Sequence, residues 1–303
     1  RSSRGLGDVY KRQVVDTTKN QSGSRQNEVI AEVDYSWAFT TLYEGAIYML
    51  QSEQYHVDKL DWDRRKAFVR KVDSEYYTDA QHYVKVKVLQ VLRETDPDTE
   101  LQEAAPKIEY GEVEVVRKAI GYKKLKFYTH ENLGWGDILL PEDIYHTQAT
   151  WFTVPDRVIE ALDVPTSDLV DTLHGLSNLT HSLASMLLMC DGRDLGVVMG
   201  DRTREWFLRP TAPGAIRPDP PEKFEPTIFL YDQYSGGIGL AEALFPMVPN
   251  LLDGARSRLE ACGCERGCPA CVGPEQEVGP RAKAIAGRML GLMRSAPREP
   301  ATA

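Results

Sequence analysis

Four of the five cysteines fall within ten residues, in the run Cys262-Gly-Cys264-Glu-Arg-Gly-Cys268-Pro-Ala-Cys271-Val-Gly273. The spacing makes two short chelating hooks, C-x-C and C-x2-C, separated by three residues. A soft divalent ion such as zinc takes four thiolates at tetrahedral corners, and paired hooks deliver two ligands each. Gly263, Gly267 and Gly273 stand where the backbone must turn sharply or aim its N–H groups at sulfur. Pro269 pre-sets the turn between Cys268 and Cys271. A fold for this chain therefore has to gather Cys262, Cys264, Cys268 and Cys271 around one point, as a structural Zn2+ knuckle.

Other cysteine chemistries compete less well. Disulfides between such close neighbours would close strained small rings. Elsewhere there is only Cys190, and no secretory signal is read, so a reducing cytoplasm is the expected setting. An iron–sulfur cluster stays open as an alternative, because Cys264-x3-Cys268-Pro269 echoes the end of a ferredoxin-type run. Cluster ligands, however, usually come from more widely spread segments. Cys190 follows a long apolar stretch and reads as a small buried hydrophobe.

With 303 residues, 42% hydrophobic and 27% charged, the chain can bury one large core or two medium ones. Its longest apolar stretch, 183–189, is too short to span a bilayer, so no membrane partner is expected. A net charge of −9 excludes a nucleic-acid coat protein with a dominantly basic surface, but leaves room for a local basic groove. Residues 1–13 resemble translated sequencing-adapter sequence, and the stretch through Gln26 is polar with no core pattern. Residues 1–26 are accordingly expected to be a non-native, disordered N-terminus, with the natural chain continuing upstream of Val14.

The pattern along the chain predicts an α+β protein in two parts. Residues 27–155 hold short strand-like runs at 29–35, 46–50, 55–57, 67–72, 83–89, 111–116, 123–128 and 147–154. Few helical signals interrupt them, which suggests an antiparallel, β-rich, barrel-like accessory domain, with a polar loop near 95–106. Residues 156–303 switch period and suggest an α/β domain carrying the four-cysteine knuckle. Leu169, Leu173, Leu176, Leu179, Leu183 and Leu187 form a helical stripe over 168–189, with Ser167 or Asp168 as N-cap. Continuous apolar runs at 195–199 and 227–231 read as buried strands flanking a Pro-rich loop. Helices follow over 239–261, broken by Pro246 and Pro249, and over 281–293, on either side of the knuckle.

Several further motifs carry chemistry in principle. Gly236, Gly237 and Gly239 lie at a strand-to-helix turn that can receive an anion, yet the spacing is not G-x-G-x-x-G and a plain tight turn capped by Asp232 accounts for it. Asp191-Gly-Arg-Asp194 reads as turn chemistry, and His174 and His181 as polar-edge or core residues of one helix face. Arg117, Lys118, Lys123, Lys124 and Lys126 interleave with Tyr122, Phe127 and Tyr128, a composition that lines nucleic-acid grooves and equally occurs on ordinary half-exposed strands. A second basic run is Arg64, Arg65, Lys66, Arg70 and Lys71. No phosphate loop, Walker B pair or G-x-S-x-G elbow is present, so no catalytic motif is read in this chain.

Taken together, these segments resemble the C-terminal region of bacterial DEAD/DEAH-type superfamily 2 helicases of the mitomycin repair factor A type, with its zinc-binding domain. The resemblance rests on Met189-Cys-Asp-Gly-Arg-Asp-Leu-Gly196, Ile228-Phe-Leu-Tyr-Asp-Gln-Tyr-Ser-Gly-Gly-Ile-Gly-Leu-Ala-Glu242 and the cysteine run. It extends to Tyr43-Glu-Gly-Ala-Ile-Tyr48, Tyr55-His-Val-Asp-Lys-Leu-Asp61, Tyr76-Tyr-Thr78 and Tyr110-Gly-Glu-Val113. It implies that the four cysteines hold the metal, and that DNA, single-stranded or unwinding, is the partner in DNA repair. ATP and Mg2+ would be used only in RecA-like motor domains upstream and missing from this chain. The alternative is a stand-alone zinc-binding module that recruits a protein.

Overall fold

The computed structural model describes residues 11–19, 23, 27–95, 104–209 and 219–293. The adapter-like residues 1–10, most of the 95–106 loop and the middle of the Pro-rich loop lie outside the described residues. The class is α+β, in two compact units. One gathers the described residues up to Tyr83 with Arg117–Asp143; the other gathers Val84–Val116, Ile144–Leu208 and the described residues from 219 on. The division is not the single cut near 155 that composition suggests. Two long strands, β6 (Tyr76–Glu94) and β7 (Lys107–Lys126), each pass from one unit into the other.

In the first unit, β1 (Lys11–Asp16), β2 (Glu28–Asp34), β3 (Ile47–Leu50), β4 (Glu53–Asp61) and β5 (Lys66–Val72) form a sheet ordered β2-β1-β5-β4-β3. Part of the N-terminal stretch expected to be disordered is thus an ordered strand, because Val14 and Val15 are buried and β1 pairs on both sides. The sheet follows the open path of a curled, barrel-like sheet, and β1 runs parallel to β5 within it. A short helix α1 (Tyr35–Thr41), unforeseen in the sequence, is followed by Leu42 and contributes Ala38 and Phe39 to the buried interior. The 123–128 run is not a separate strand but the end of β7 and the turn after it, which leads into β8 (Asn132–Asp137).

In the second unit, β9 (Asp143–Thr153), β10 (Leu195–Asp201) and β11 (Pro226–Asp232) join β7 and β6 in the order β10-β11-β9-β7-β6. The β10/β11 and β11/β9 pairs are antiparallel, and helices pack with this sheet in a mixed α+β arrangement. Helix α3 (Thr166–Leu188) carries the leucine stripe; Leu169, Leu173, Leu176 and Leu179 are buried, and Leu187 reaches the surface. It starts just before the expected cap, after Pro165, and Met189 closes it in a left-handed conformation. After α2 (Asp156–Leu162) and α3, the later helices are α4 (Leu240–Leu244), α5 (Val248–Ala261), α6 (Glu275–Val278) and α7 (Ala282–Leu292). A single turn at Phe245–Met247 breaks α4 from α5 at Pro246, where the ring cannot continue an α-helix.

Within the first unit, His82 is largely buried, with Nε2 3.4 Å from the Phe39 carbonyl. Burial, and then the charge of Arg117, push its pKa down from 6.5 to about 4. The folded state therefore binds this proton less readily than the unfolded chain. Its stabilising contribution is complete above about pH 6.5 and is lost as the pH falls toward 4, by up to about 1.4 kcal/mol per pH unit. Replacing His82→Gln should flatten the melting temperature against pH across that window. An unchanged slope would rule His82 out as the linked group.

Candidate metal centre

The knuckle begins where α5 ends, with Cys262 as the C-cap residue. The Cys271 N–H donates to the Cys268 carbonyl at 2.9 Å, and the Gly273 N–H donates to the same oxygen at 3.1 Å. These bonds close the Cys268–Cys271 hook, and the Cys268 N–H points at Cys271 Sγ from 3.3 Å. Gly273, at φ +112, makes the turn out of it. The four sulfurs all lie within 4.8 Å of one another. Separations are 3.5 Å for Cys262–Cys264 and Cys264–Cys271, 3.6 Å for Cys262–Cys268 and 3.7 Å for Cys268–Cys271.

Those lengths identify what the site can hold. Four sulfurs about 2.3 Å from one tetrahedral ion stand about 3.8 Å apart, close to the observed edges. They are far longer than a sulfur–sulfur bond, and all five cysteines are free. An iron–sulfur cluster shares its thiolates among several irons, which spreads them rather than converging them on one centre. The quartet fits a single zinc ion, with every position filled by protein and none left for substrate, which marks a structural site.

The electrostatics are arranged around negative sulfur. Hydrogen bonding from the Cys264 N–H and from the Cys264 and Cys268 thiols draws the Cys262 thiol down to about 6, while burial pushes Cys271 up to about 12. A bound ion must displace the protons that remain, so metal affinity falls with pH. Lys283 on α7 donates to the carbonyls of Cys262, at 2.7 Å, and of Cys264, and lies 3.4 Å from Cys264 Sγ. Burial opposes its charge, but the Cys264 hydrogen bond and the nearby thiolates outweigh that and raise its pKa. One ammonium thus offsets part of the tetrathiolate's excess negative charge.

The knuckle is seated on α3. A Cβ at Gly175 would lie 2.8 Å from Val272 Cβ, so glycine is what lets the helix approach this closely. Asn178 Nδ2 donates to the Val272 carbonyl at 3.2 Å, and from α5 Arg258 Nε donates to the Ala270 carbonyl at 2.8 Å. Sequence reasoning finds the four clustered cysteines and misses these supports. Gly175 inside a leucine-rich helix is a usable signal; Lys283 and Asn178 have none.

Other candidates resolve into structure. Asp232 is fully buried and its carboxylate accepts the N–H groups of Ile238, Gly239 and Ala241 at 2.5–2.8 Å. The glycine-rich turn therefore already holds its anion. Asp191 accepts the Arg193 N–H, Asp194 accepts the Tyr234 hydroxyl, and His181 Nε2 bonds the Gly192 and Leu195 carbonyls, all turn and helix-end chemistry.

The basic set divides. Arg117, expected as a nucleic-acid contact, instead pairs with Asp143 at 2.7 Å with both side chains mostly buried, its guanidinium 5.8 Å from the Phe39 ring. It is occupied inside the fold. Lys118 is exposed and 3.5 Å from Glu142. The second run is likewise a paired surface, Arg64 with Asp61, Arg70 with Asp58 and Lys71 with Glu53. Lys123, Lys124 and Lys126 remain, half-exposed at the end of β7, with Lys124 Nζ 5.5 Å from the Tyr76 ring.

Two outcomes test the centre. Cys268→Ser should lower zinc below one equivalent and raise amide exchange across α5–α7, leaving β1–β5 protected; full zinc by elemental analysis would refute the assignment. Lys283→Met should still bind zinc at saturation but about 10–100-fold more weakly in a chelator competition.

Residues 176–272 match the family model of the MrfA Zn-binding domain. The ATP-dependent helicase YprA of Bacillus subtilis is 38% identical over 258 residues, covering 85% of this chain and 31% of that protein. The ATP-dependent helicase HRQ1 of Saccharomyces cerevisiae is 22% identical over 274 residues, 86% of this chain and 22% of its own length. Among solved structures, the DUF1998 helicase MrfA bound to DNA matches 94% of this chain and 34% of that one, with 36% identity and a TM-score of 0.58. Spanning about a third of YprA and of MrfA, the chain is similar to the region of the MrfA-like helicases that carries their Zn-binding domain.

Proposed function

We propose that this chain is the accessory and zinc-binding region of a cytoplasmic, ATP-dependent DNA helicase acting in DNA repair. The observation that carries this reading is the likeness over nearly the whole chain to MrfA, a helicase whose structure was solved with DNA. ATP and Mg2+ would be handled by motor domains of such a protein; the phosphate loop they need has no counterpart in this sequence. The part played by these residues is mechanical. Zinc fixes the Cys262–Cys271 knuckle, which with Lys283, Asn178 and Arg258 fastens α3, α5 and α7 together. DNA is the partner, taken as a single strand or as unwinding duplex through Lys123, Lys124 and Lys126. No described helix is long and apolar enough to cross a membrane.

The test is binding of a fluorescent single-stranded oligonucleotide across a salt series. Changing Lys123, Lys124 and Lys126 to Glu should weaken binding and flatten the salt dependence, by about 0.7 in log–log slope for each phosphate no longer neutralised. Unchanged affinity and slope would remove these lysines from the interface. No binding at any salt would favour a stand-alone zinc-binding module that recruits a protein.

A further inference from the structure

The turn between β7 and β8 contains an aromatic arrangement that packing does not explain. Tyr128 is 97% exposed and has φ +67, and His130 two residues on has φ +56. Left-handed backbone is unfavourable for a large side chain, and glycine or asparagine would make this turn with less strain. Tyr128 buries almost nothing in return. Strain retained at an exposed position points to use there, not to folding.

The surroundings are those of a stacking platform. The Phe127 ring is 6.4 Å from Tyr128 and 5.5 Å from Tyr77. Tyr77 meets His130 edge-on at 6.1 Å, and its hydroxyl bonds His130 Nδ1 at 2.9 Å, which braces the tip. Beside the tip lies a pocket of about 430 Å3 that Lys126, Phe127 and Tyr128 line together with Met49, Gln54 and Glu75. The alternation of β7 puts Lys124 and Lys126 on one strand face and Lys123 on the other. Glu75 makes the pocket wall unfavourable for a phosphate and able to accept from a base amino group.

We propose that this turn is a base-stacking site for single-stranded nucleic acid, in which an unpaired base lies on the Tyr128 ring against the pocket while Lys124 and Lys126 take the flanking phosphates. The inference rests on the DNA-binding reading above and adds to it the contact that selects unpaired bases. Aromatic stacking of this kind is sequence-tolerant, because every base offers a π-face.

Tyr128→Ala should weaken binding of a single-stranded oligonucleotide about tenfold or more, with the salt slope unchanged because a tyrosine neutralises no phosphate. Tyr128→Trp should restore affinity. A 2-aminopurine placed along the oligonucleotide should be quenched at one position by the unaltered chain and by Tyr128→Trp, but not by Tyr128→Ala. Since Tyr128 is exposed, these variants leave the core untouched. Wild-type affinity and quenching in Tyr128→Ala would overturn the stacking site while lysine-dependent binding left the DNA reading standing. An equal weakening on blunt duplex would overturn selection of an unpaired base. Absence of binding by the unaltered chain would sink both.

Discussion

Four sulfurs held within 4.8 Å of each other cannot exist as thiolates without a cation between them. That repulsion is the constraint around which the helical end of the chain is organised. A bound ion would relieve that repulsion, and a close seat on α3 joins the knuckle to the helices. Both requirements shape neighbours that bind no metal. Gly175 gives up a side chain so that α3 can touch Val272, and Lys283 lends α7 to the carbonyls of Cys262 and Cys264. Metal binding in small zinc domains contributes about 10–16 kcal/mol at neutral pH. Here most of the hydrophobic core of the same unit, with leucines from α3, α5 and α7, is built from side chains that bind no metal. The ion's influence is therefore expected to be greatest in the helices that it joins.

The same electrostatic logic recurs at the buried acids. Asp232 gathers three backbone N–H groups, and Asp201 accepts those of Thr203, Arg204 and Glu225. Glu109, fully buried, receives the Trp151 indole N–H at 2.8 Å and pairs with Arg202 and Lys107. A buried carboxylate is tolerated when donors surround it. Part of the chain's net charge of −9 is thus structural wiring inside turns, so overall acidity gives no measure of any one surface.

What can be read from the sequence is whatever is decided within a few residues. The clustering of the four cysteines, the leucine stripe of α3, the break at Pro246 and the buried β10 and β11 all follow from local spacing and steric rules. What cannot be read depends on partners far along the chain. The parallel pairing of β1 with β5 joins Val14 to Ala67, and no local pattern announces it. Strand β8 is short and glycine-interrupted; Gly136 is required because the Tyr122 ring occupies the space where its Cβ would stand. Lys283 lies nineteen residues from Cys264, beyond the reach of any motif.

The lysines and Arg117 show why charge alone does not locate a binding surface. All five basic residues belong to one strand run and look equivalent as text. Arg117 stands where Asp143 and Phe39 can enclose it, so its guanidinium satisfies the fold. Lys124 and Lys126 stand half-exposed at the strand's end, where Tyr76 flanks the first and Phe127 and Tyr128 share a pocket with the second. An exposed ion pair contributes little to stability, while a cation beside exposed rings can exchange its water for a phosphate. The distinction between a structural and an available charge is therefore set by position along β7, and it is the turn after β7, not the basic composition before it, that singles out the proposed stacking site.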